Sequence, residues 1–435
     1  MARFRELAVW MNGHLVGYWS VSAGDSSFVY GESWLSSAHR RPISLSMPLR
    51  ASSAPYRGEI VANFFDNLLP DSSLVRTTLQ TRLGLDSRDP MALLEHLGRD
   101  CLGALQLLPL DEPGASPDII DGEPLSDSEI AKILRGLPRF PMGVDRDTEI
   151  RLSLAGNHEK TALLRDEEGK WMRPIGPTPT THILKLPIGM TPDGFDLSLS
   201  VENEWLCLRL LGELGFPVAR AEIADFEDQR CLVVTRFDRV ESNGGLVRLP
   251  HEDLCQATGT APAFKYESDG GPGIRECLKL LGGALHPTED REVFFKSQIA
   301  FWLLCAIDGH AKNFSLSILP LGRFKLAPLY DVLSAYPIMG HGVGKLPRQK
   351  ATMAMAVWGK NRHYNWDRIF RRHWLRTARD CGLPNPESLI SDLCSEVKEA
   401  VKKVEESLPR SFPEQVGLPI LEGLLNASAS LEPLK

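Results

Sequence analysis

The sequence has no cysteines at metal-binding spacing, no long apolar run and no excess of positive charge. Its eight cysteines are scattered without a C-x-x-C pair, so neither a zinc site nor a disulfide framework is indicated. No apolar run approaches the roughly 20 residues that a membrane-spanning helix needs, and the first residues resemble no signal peptide. The net charge of −7 excludes a globally basic nucleic-acid binder. These absences favour a protein of the reducing cytoplasm.

The composition is that of an ordinary globular protein, with 43% hydrophobic and 24% charged residues in a chain of 435. This length suits two or three domains. Four prolines lie within residues 109–124, and every charge between residues 111 and 129 is negative, which is typical of a linker. We therefore expect a β-rich and helical N-terminal domain over 1–110, an acidic proline-rich linker over 111–129, a small lobe over 130–235 and a helical lobe over 236–435.

Local patterns predict an α+β fold. Asn12-Gly13 separates two β-prone runs, which is the strongest short signal for a β-hairpin. From Glu59 to Leu97 the apolar spacing lengthens to a helical period. Within that stretch, residues 63–71 mix polar groups with aromatics, a pattern more typical of a capped core helix than of a site.

The stretch from Phe301 to Asp331 organises the rest of the chain. An apolar run ends on Asp308, Asn313 follows five residues later, and Asp331 ends a second short apolar run. In protein kinases a catalytic-loop Asp accepts the substrate proton, while an Asn five residues on and a downstream Asp hold Mg²⁺. Helix or turn caps would explain any one of these residues. The three together favour a magnesium and phosphate site.

Two earlier segments fall in kinase order. Apolar and polar residues alternate over residues 150–164, with an interruption at Ala155-Gly156, after which the strand pattern continues. This pattern suits either a plain hairpin turn or a hairpin that lies over phosphates. The apolar run at residues 181–187 carries the single cation Lys185, where a kinase has the Lys that contacts the α- and β-phosphates. Glu202 or Glu204, at the start of the next helix, could pair with it.

Residues 232–238 read as a buried strand that ends in a polar turn, where a kinase has the hinge between its lobes. A small β-rich lobe before a larger helical lobe is the architecture that a kinase needs.

The chain resembles the HipA-type serine/threonine kinases, the toxins of bacterial toxin–antitoxin pairs. The resemblance covers nearly the whole sequence. Its most specific segments are residues 63–71, 98–100, 152–164, 180–187, 265–273, 308–313 and 330–331. The resemblance implies a bilobal protein-kinase-like core preceded by a small N-terminal domain.

The resemblance also implies a role for individual residues. Asp308 would be the catalytic base, Asn313 and Asp331 would hold Mg²⁺, and Ser153 would be autophosphorylated. The ATP-binding residues implied are Ala155, Gly156, Asn157, His158, Glu159, Lys160, Lys185, Thr235, Arg236, Phe237, His310, Ala311, Lys312, Asn313, Tyr330, Asp331, Val332 and Leu333.

The partners implied are a helix-turn-helix antitoxin of the HipB type and, through the complex, operator DNA, in a dimer of toxin–antitoxin units. The substrate implied is an aminoacyl-tRNA synthetase such as glutamyl-tRNA synthetase, whose phosphorylation would arrest growth and favour persistence. A catalytically silent, DNA-bound corepressor and a small-molecule kinase on the same scaffold are the alternatives.

A basic stretch lies near residues 357–380, where seven Lys or Arg residues face two Asp residues. The spacing of Arg368, Arg372, Arg376 and Arg379 predicts one helical row of guanidinium groups. A solvated helix face is one interpretation, and contact with DNA phosphates is the other. With Trp366 and Trp374 interleaved, the stretch could equally dock the antitoxin.

Overall fold

A computed structural model of the chain describes residues 4–50, 53–114, 116–143, 152–156, 158–242 and 244–432. The strands there are β1 (Arg5–Met11), β2 (His14–Ser22), β3 (Asp25–Tyr30), β4 (Tyr56–Arg57), β5 (Leu105–Leu108), β6 (Gly122–Pro124), β7 (Lys160–Arg165), β8 (Trp171–Pro174), β9 (His182–Lys185), β10 (Gly189–Met190), β11 (Asp196–Leu197), β12 (Ala221–Phe226), β13 (Gln229–Thr235), β14 (Arg239–Ser242), β15 (Gly245–Arg248), β16 (His251–Asp253), β17 (Ser315–Ile318), β18 (Phe324–Leu326), β19 (Thr352–Trp358) and β20 (Arg362–Asn365). The helices are α1 (Glu32–Ser36), α2 (Glu59–Asp66), α3 (Ser73–Leu83), α4 (Pro90–Leu97), α5 (Asp127–Gly136), α6 (Ser200–Glu213), α7 (Leu254–Thr258), α8 (Ile274–Leu281), α9 (Pro287–Leu303), α10 (Arg371–Asp380), α11 (Pro386–Ser407) and α12 (Glu414–Leu431).

The chain divides into two compact units. The first holds Met1–Leu186, Ala224–Ala263 and Leu316–Phe324, and the second holds Pro187–Ile223, Phe264–Ser315 and Lys325–Lys435. Helices and sheets are mixed, so the α+β class is confirmed. Each of these units is built from several separate stretches of chain, whereas the predicted domains are continuous ranges. The predicted domain boundaries stay a prediction.

The first unit opens with the predicted hairpin. β1 and β2 pair antiparallel up to the residues that flank Asn12 and Gly13. These two residues have φ angles of 46° and 80°, as a type I′ turn requires, and that turn matches the twist of the strands. The sheet extends to the order β4-β3-β2-β1-β5. Trp19 of this sheet stacks on Phe65 of α2, with ring centroids 4.0 Å apart.

The helical period over residues 59–97 corresponds to three helices. Ser72 accepts a hydrogen bond from the Val75 main-chain N–H at the start of α3, and Asp89 accepts one from Ala92 at the start of α4. Gly84 ends α3 in the left-handed conformation, with φ of 67°. These caps stop and restart the helix without a visible break in the apolar period.

A six-stranded sheet of order β12-β13-β9-β7-β8-β6 forms the second part of this unit. Helix α5 buries Ile130 and Leu134 in one apolar cluster with Leu163, Leu184 and Val233 of the sheet. β6 pairs with β8 although it lies in the predicted linker. Part of that acidic segment is therefore ordered by main-chain hydrogen bonds, which its composition does not reveal.

No hairpin surrounds the predicted phosphate loop in the residues that the structure describes. Residues 152–156 make a single parallel bridge, from Leu152 to Asp100, whereas β7 pairs with β8 and β9. The hairpin interpretation is wrong here, because the alternating Leu152 and Leu154 are buried in the N-terminal core instead.

The second unit is mainly helical. Its helix α9 begins with exposed and charged residues, but every residue from Ser297 to Leu303 is buried, so the end of the helix lies inside the core. α9 therefore gives a fixed base to the chain that follows it, which contains Asp308. Residues 239–253, which lie within the predicted helical lobe, form β14, β15 and β16 and belong to the first unit.

Candidate active site

Asp308 stands at the surface directly after the buried end of α9. The chain turns at Cys305, whose φ is 48°. Residues 301–306 are buried, whereas the side chain of Asp308 is 56% exposed. A Cβ atom at Gly309 would lie 2.6 Å from the ring of Phe301. Close packing, rather than a special backbone angle, therefore requires glycine beside the exposed carboxylate.

The loop from Asp308 to Asn313 is closed on itself. The main-chain oxygen of Asp308 accepts hydrogen bonds from the N–H of His310 and from Nδ2 of Asn313, both at 2.8 Å. The Asn313 main-chain N–H donates to the His310 oxygen at 2.9 Å. Because its amide nitrogen is engaged with Asp308, Asn313 presents its Oδ1 atom as the ligand end of the side chain.

Asp331 is held in a rare backbone conformation, with φ of 58°. On one side, the hydroxyl of Tyr330 donates to the Lys312 main-chain oxygen at 2.8 Å. On the other side, Ser334 exchanges two hydrogen bonds with the Asn203 amide, both at 2.8 Å. The surrounding contacts therefore impose the conformation of Asp331 and tie its segment to the loop of Asp308.

These residues fit a magnesium ion bound together with phosphates. Mg²⁺ prefers oxygen ligands and is usually held by one or two carboxylates plus substrate phosphates. Asn313 and Asp331 supply one amide oxygen and one carboxylate. Among the described residues, no group of three or more His, Cys, Asp or Glu side chains could hold a metal by itself. A site of this kind therefore depends on the phosphates for its remaining ligands.

The other predicted nucleotide contacts of the second unit are mostly buried. Ala311 is fully buried, and Val332 is 1% exposed. Both residues therefore offer little surface to a nucleotide in this arrangement. Glu202 and Glu204 are both buried on α6, so burial does not choose between them.

In the first unit, Gly156 and Lys160 shape the predicted phosphate loop. Asn157 lies outside the described residues. Gly156 has φ of 98°, and a Cβ atom there would lie 2.6 Å from the Lys160 ammonium nitrogen. The Lys160 ammonium group therefore lies against Gly156, and the positive φ angle favours glycine at this position. Burial raises the pKa of Glu159.

Lys160 and Lys185 lie directly opposite each other on β7 and β9. The register therefore brings two cationic residues together on one face of the sheet. In the same sheet, Thr235 lies opposite His182.

Arg236 lies in a buried ion cluster, which sequence patterns did not reveal. Its guanidinium donates to Asp238 at 2.8 Å and lies 3.3 Å from an oxygen of Asp100. Arg239 and Arg248 pair with the same Asp100. Burial alone would raise the pKa of Asp100, yet the three guanidinium groups hold it at about 2. The main chain of Arg236 is engaged as well, since its N–H donates to the Thr181 oxygen at 2.9 Å, so the residue offers little surface to a nucleotide in this arrangement.

Ser153 lies on this cluster. Its main-chain N–H donates to the Asp100 main-chain oxygen at 3.0 Å, and its hydroxyl donates to the Leu68 main-chain oxygen at 2.6 Å. The residue is fully buried, so the hydroxyl is not accessible to a kinase in this arrangement.

The predicted row of arginines is partly neutralised. Arg368 precedes α10, in a short 3-10 turn, so it is not part of a continuous helical row. On the helix, Arg376 pairs with Asp380 and Arg379 pairs with Glu387. Trp366 and Trp374 are buried, 3% and 1% exposed, which corrects the expectation that they are interleaved on the surface. Their indole rings belong to the core and offer no docking surface.

Sequence reasoning missed one polar neighbour of Asp308. The hydroxyl of Tyr266 donates to Asp308 Oδ1 at 2.5 Å, across 42 residues of sequence. The only sequence signal was that Tyr266 belongs to the segment 265–273, which was singled out without a role.

Within the described part of the chain, no helix combines the length and apolarity needed to cross a membrane.

Two family models match the chain. The HipA N-terminal domain matches residues 7–108, and the HipA-like C-terminal domain matches residues 152–404, more than half of the sequence. The chain belongs to the HipA family of kinases. The resemblance found in the sequence is thereby confirmed.

Relatives in the HipA family extend over most of the chain. The Sinorhizobium fredii protein named "Putative kinase Y4mE" is 35% identical over 413 residues, 92% of each chain. The serine/threonine-protein kinase toxin HipA of Shewanella oneidensis is 26% identical over 348 residues, 77% of this chain and 76% of that one. A solved complex of Shewanella oneidensis HipA, HipB and operator DNA contains a similar fold, with a TM-score of 0.79 at 23% identity over 98% of this chain and 97% of that one.

Proposed function

We propose that the chain is an ATP- and Mg²⁺-dependent protein kinase that phosphorylates serine. The observation that carries this proposal is the closed loop from Asp308 to Asn313. It presents an exposed carboxylate and an oriented amide oxygen, and Tyr330 ties the segment of Asp331 to it. The same order of base and metal ligands operates in protein kinases.

In the proposed reaction, Asp308 accepts the proton of a serine hydroxyl as its oxygen bonds to the γ-phosphorus of ATP. The bond between the γ-phosphorus and the β,γ-bridging oxygen breaks, and ADP leaves. Asn313 and Asp331 would hold the magnesium ion, which supplies neutralisation of the phosphate charge. Lys160 and Lys185 would contact the phosphates, since their opposed positions on β7 and β9 bring two cationic residues together.

The decisive experiment compares wild type with Asp308→Ala. The purified full-length chain is incubated with MgATP and a cell lysate, and new phosphoserine is mapped by mass spectrometry. We expect Asp308→Ala to lose nearly all phosphoserine formation, because the base is removed while the main-chain oxygen that closes the loop is kept. A matched control is Asp193→Ala, which removes an exposed carboxylate of a turn in the same unit.

Equal labelling by wild type and Asp308→Ala would overturn the kinase proposal and favour a catalytically silent corepressor. Phosphorylation of a metabolite without any new phosphoserine would instead favour the small-molecule kinase.

The partners we propose follow from the relatives. The Shewanella oneidensis complex contains HipB and operator DNA, so we propose that this chain also binds a helix-turn-helix antitoxin and, through it, DNA. An aminoacyl-tRNA synthetase such as glutamyl-tRNA synthetase is the substrate that we propose, in a toxin that arrests growth. Phosphoserine mapping in the lysate tests this choice directly.

A further inference from the structure

Tyr266 occupies one of the two carboxylate oxygens of Asp308. Its hydroxyl donates to Oδ1 at 2.5 Å, a length typical of a hydrogen bond between a hydroxyl and a carboxylate. The other oxygen, Oδ2, lies 3.9 Å from His310 Nε2, which is beyond hydrogen-bond reach. The carboxylate is therefore fixed through Oδ1, while Oδ2 makes no hydrogen bond to this imidazole and the side chain as a whole is 56% exposed.

The ring of Tyr266 is itself held in place. It meets the imidazole of His310 edge to face, with centroids 5.1 Å apart and planes at 86°. The preceding Lys265 accepts a hydrogen bond from the Ala311 main-chain N–H at 3.2 Å. The tyrosine is thus held against the loop that carries Asp308 in two ways: by the hydrogen bond of the preceding residue and by the contact of its own ring.

The residue after Tyr266 anchors the segment on its other side. Glu267 is 4% exposed, and its carboxylate accepts a hydrogen bond from the Ala356 main-chain N–H of β19 at 2.6 Å. A Cβ atom at Gly273 would lie 2.3 Å from that carboxyl group. Glycine at this position therefore leaves room for the Glu267 carboxylate beside β19. This packing gives a structural reason for a glutamate and a glycine within the segment 265–273.

From this geometry we infer that Tyr266 is a positioning residue for the catalytic base. Its hydroxyl fixes the rotation of the Asp308 carboxylate, so that Oδ2 is presented to the incoming serine hydroxyl. This inference rests on the proposed function, in which Asp308 is the base. A tyrosine that merely covered the base would need to swing away, whereas Tyr266 is held from both sides and through its ring.

The test is Tyr266→Phe in the full-length chain, which removes the hydroxyl and keeps the ring against His310. The rate of ADP release is measured over a range of MgATP concentrations. A hydrogen bond to a charged group corresponds to a loss of about 10- to 100-fold in kcat, and the KM for ATP should change by less than about twofold, because ground-state binding is not altered. Tyr18→Phe, at an exposed tyrosine of β2, is the matched control and should equal wild type.

A double-mutant cycle separates positioning from general loosening of the fold. If Tyr266 acts through Asp308, Tyr266→Phe has no further effect in an Asp308→Asn background. Equal losses in both backgrounds would overturn the inference. So would a wild-type kcat in Tyr266→Phe, and so would a faster rate, which would identify Tyr266 as a cover. If Asp308→Asn itself releases ADP at the wild-type rate, it is the proposed function that fails.

Discussion

Glu252 of β16 is a buried acid whose environment favours the protonated form. It is 1% exposed, and its carboxyl group accepts a hydrogen bond from the Leu45 main-chain N–H at 2.8 Å. Burial raises its pKa to about 8, with a further rise from Asp253 and opposing hydrogen bonds from Ser44 and Leu45. The folded chain therefore binds this proton more tightly than the unfolded chain, in which the pKa is near 4.5.

This difference makes the stability of the chain depend on pH. As pH rises from about 4.5 to about 8, the unfolded chain loses the proton first, so the free energy of unfolding falls by an amount on the order of 5 kcal/mol. Glu252→Gln keeps an acceptor for Leu45 and cannot ionise, so its stability should lack this slope. Denaturant titrations across that pH range measure the effect.

Glu241→Gln, at an exposed acid of β14, is the control and should keep the wild-type slope. If the Glu252→Gln slope matched that of wild type, ionisation of Glu252 would not be coupled to folding.

At the scale of elements, the segment 152–156 is held by the ion cluster beneath it. The main-chain oxygen of Asp100 accepts a hydrogen bond from the Ser153 N–H. Its carboxylate forms ion pairs with the guanidinium groups of Arg236, Arg239 and Arg248. One residue therefore links the segment to the end of β13, to β14 and to β15. Release of the segment requires the bonds of Ser153 and the bridge at Leu152 to open, and the side chains of Leu152 and Leu154 to leave the core.

Phosphorylation of Ser153 should prevent the segment 152–156 from returning to its buried position. A phosphate adds a charge of about −1.5 to −2, and it cannot replace a buried hydroxyl that donates to the Leu68 oxygen. We expect the chain to incorporate phosphate at Ser153 when incubated with MgATP, and Ser153→Ala to abolish it. Intact-mass analysis with peptide mapping checks this result, and limited proteolysis should cut the phosphorylated form faster within this segment.

The control is Ser198→Ala, at an exposed serine of the second unit. Phosphate that maps to another residue and persists in Ser153→Ala would show that the serine was wrongly chosen.

At the scale of the whole molecule, a net charge of −7 restricts contact with DNA to local surfaces. Arg368 and Arg372 are exposed, and neither forms an ion pair among the described residues. Arg376 and Arg379 are exposed as well but are already paired with Asp380 and Glu387. The unpaired arginines should therefore carry most of any phosphate contact.

The comparison of two double variants tests this expectation. Arg368→Gln with Arg372→Gln should weaken operator binding by the complex with the antitoxin, and should lower the salt slope of that binding by about 2. Arg376→Gln with Arg379→Gln removes the same number of charges and should have the smaller effect. Equal affinities for both variants and wild type would leave this stretch as a solvated surface.

The sequence by itself determined what depends on neighbouring residues. Asn12-Gly13 specified a type I′ turn, because both residues tolerate the positive φ angles that the turn needs. The spacing of Asp308 and Asn313 indicated the order of a kinase catalytic loop, and five residues are enough for the amide to reach back to the carbonyl. The α+β class and the HipA family followed from such local patterns taken together.

Only the tertiary structure decided what depends on distant packing. It placed Arg236 among buried carboxylates, withdrew Trp366 and Trp374 into the core, and brought Tyr266 to Asp308. Each of these side chains has a type and spacing that fit more than one environment. The choice between environments rests on burial and on ion pairs formed by residues far apart in the chain, which no local pattern encodes.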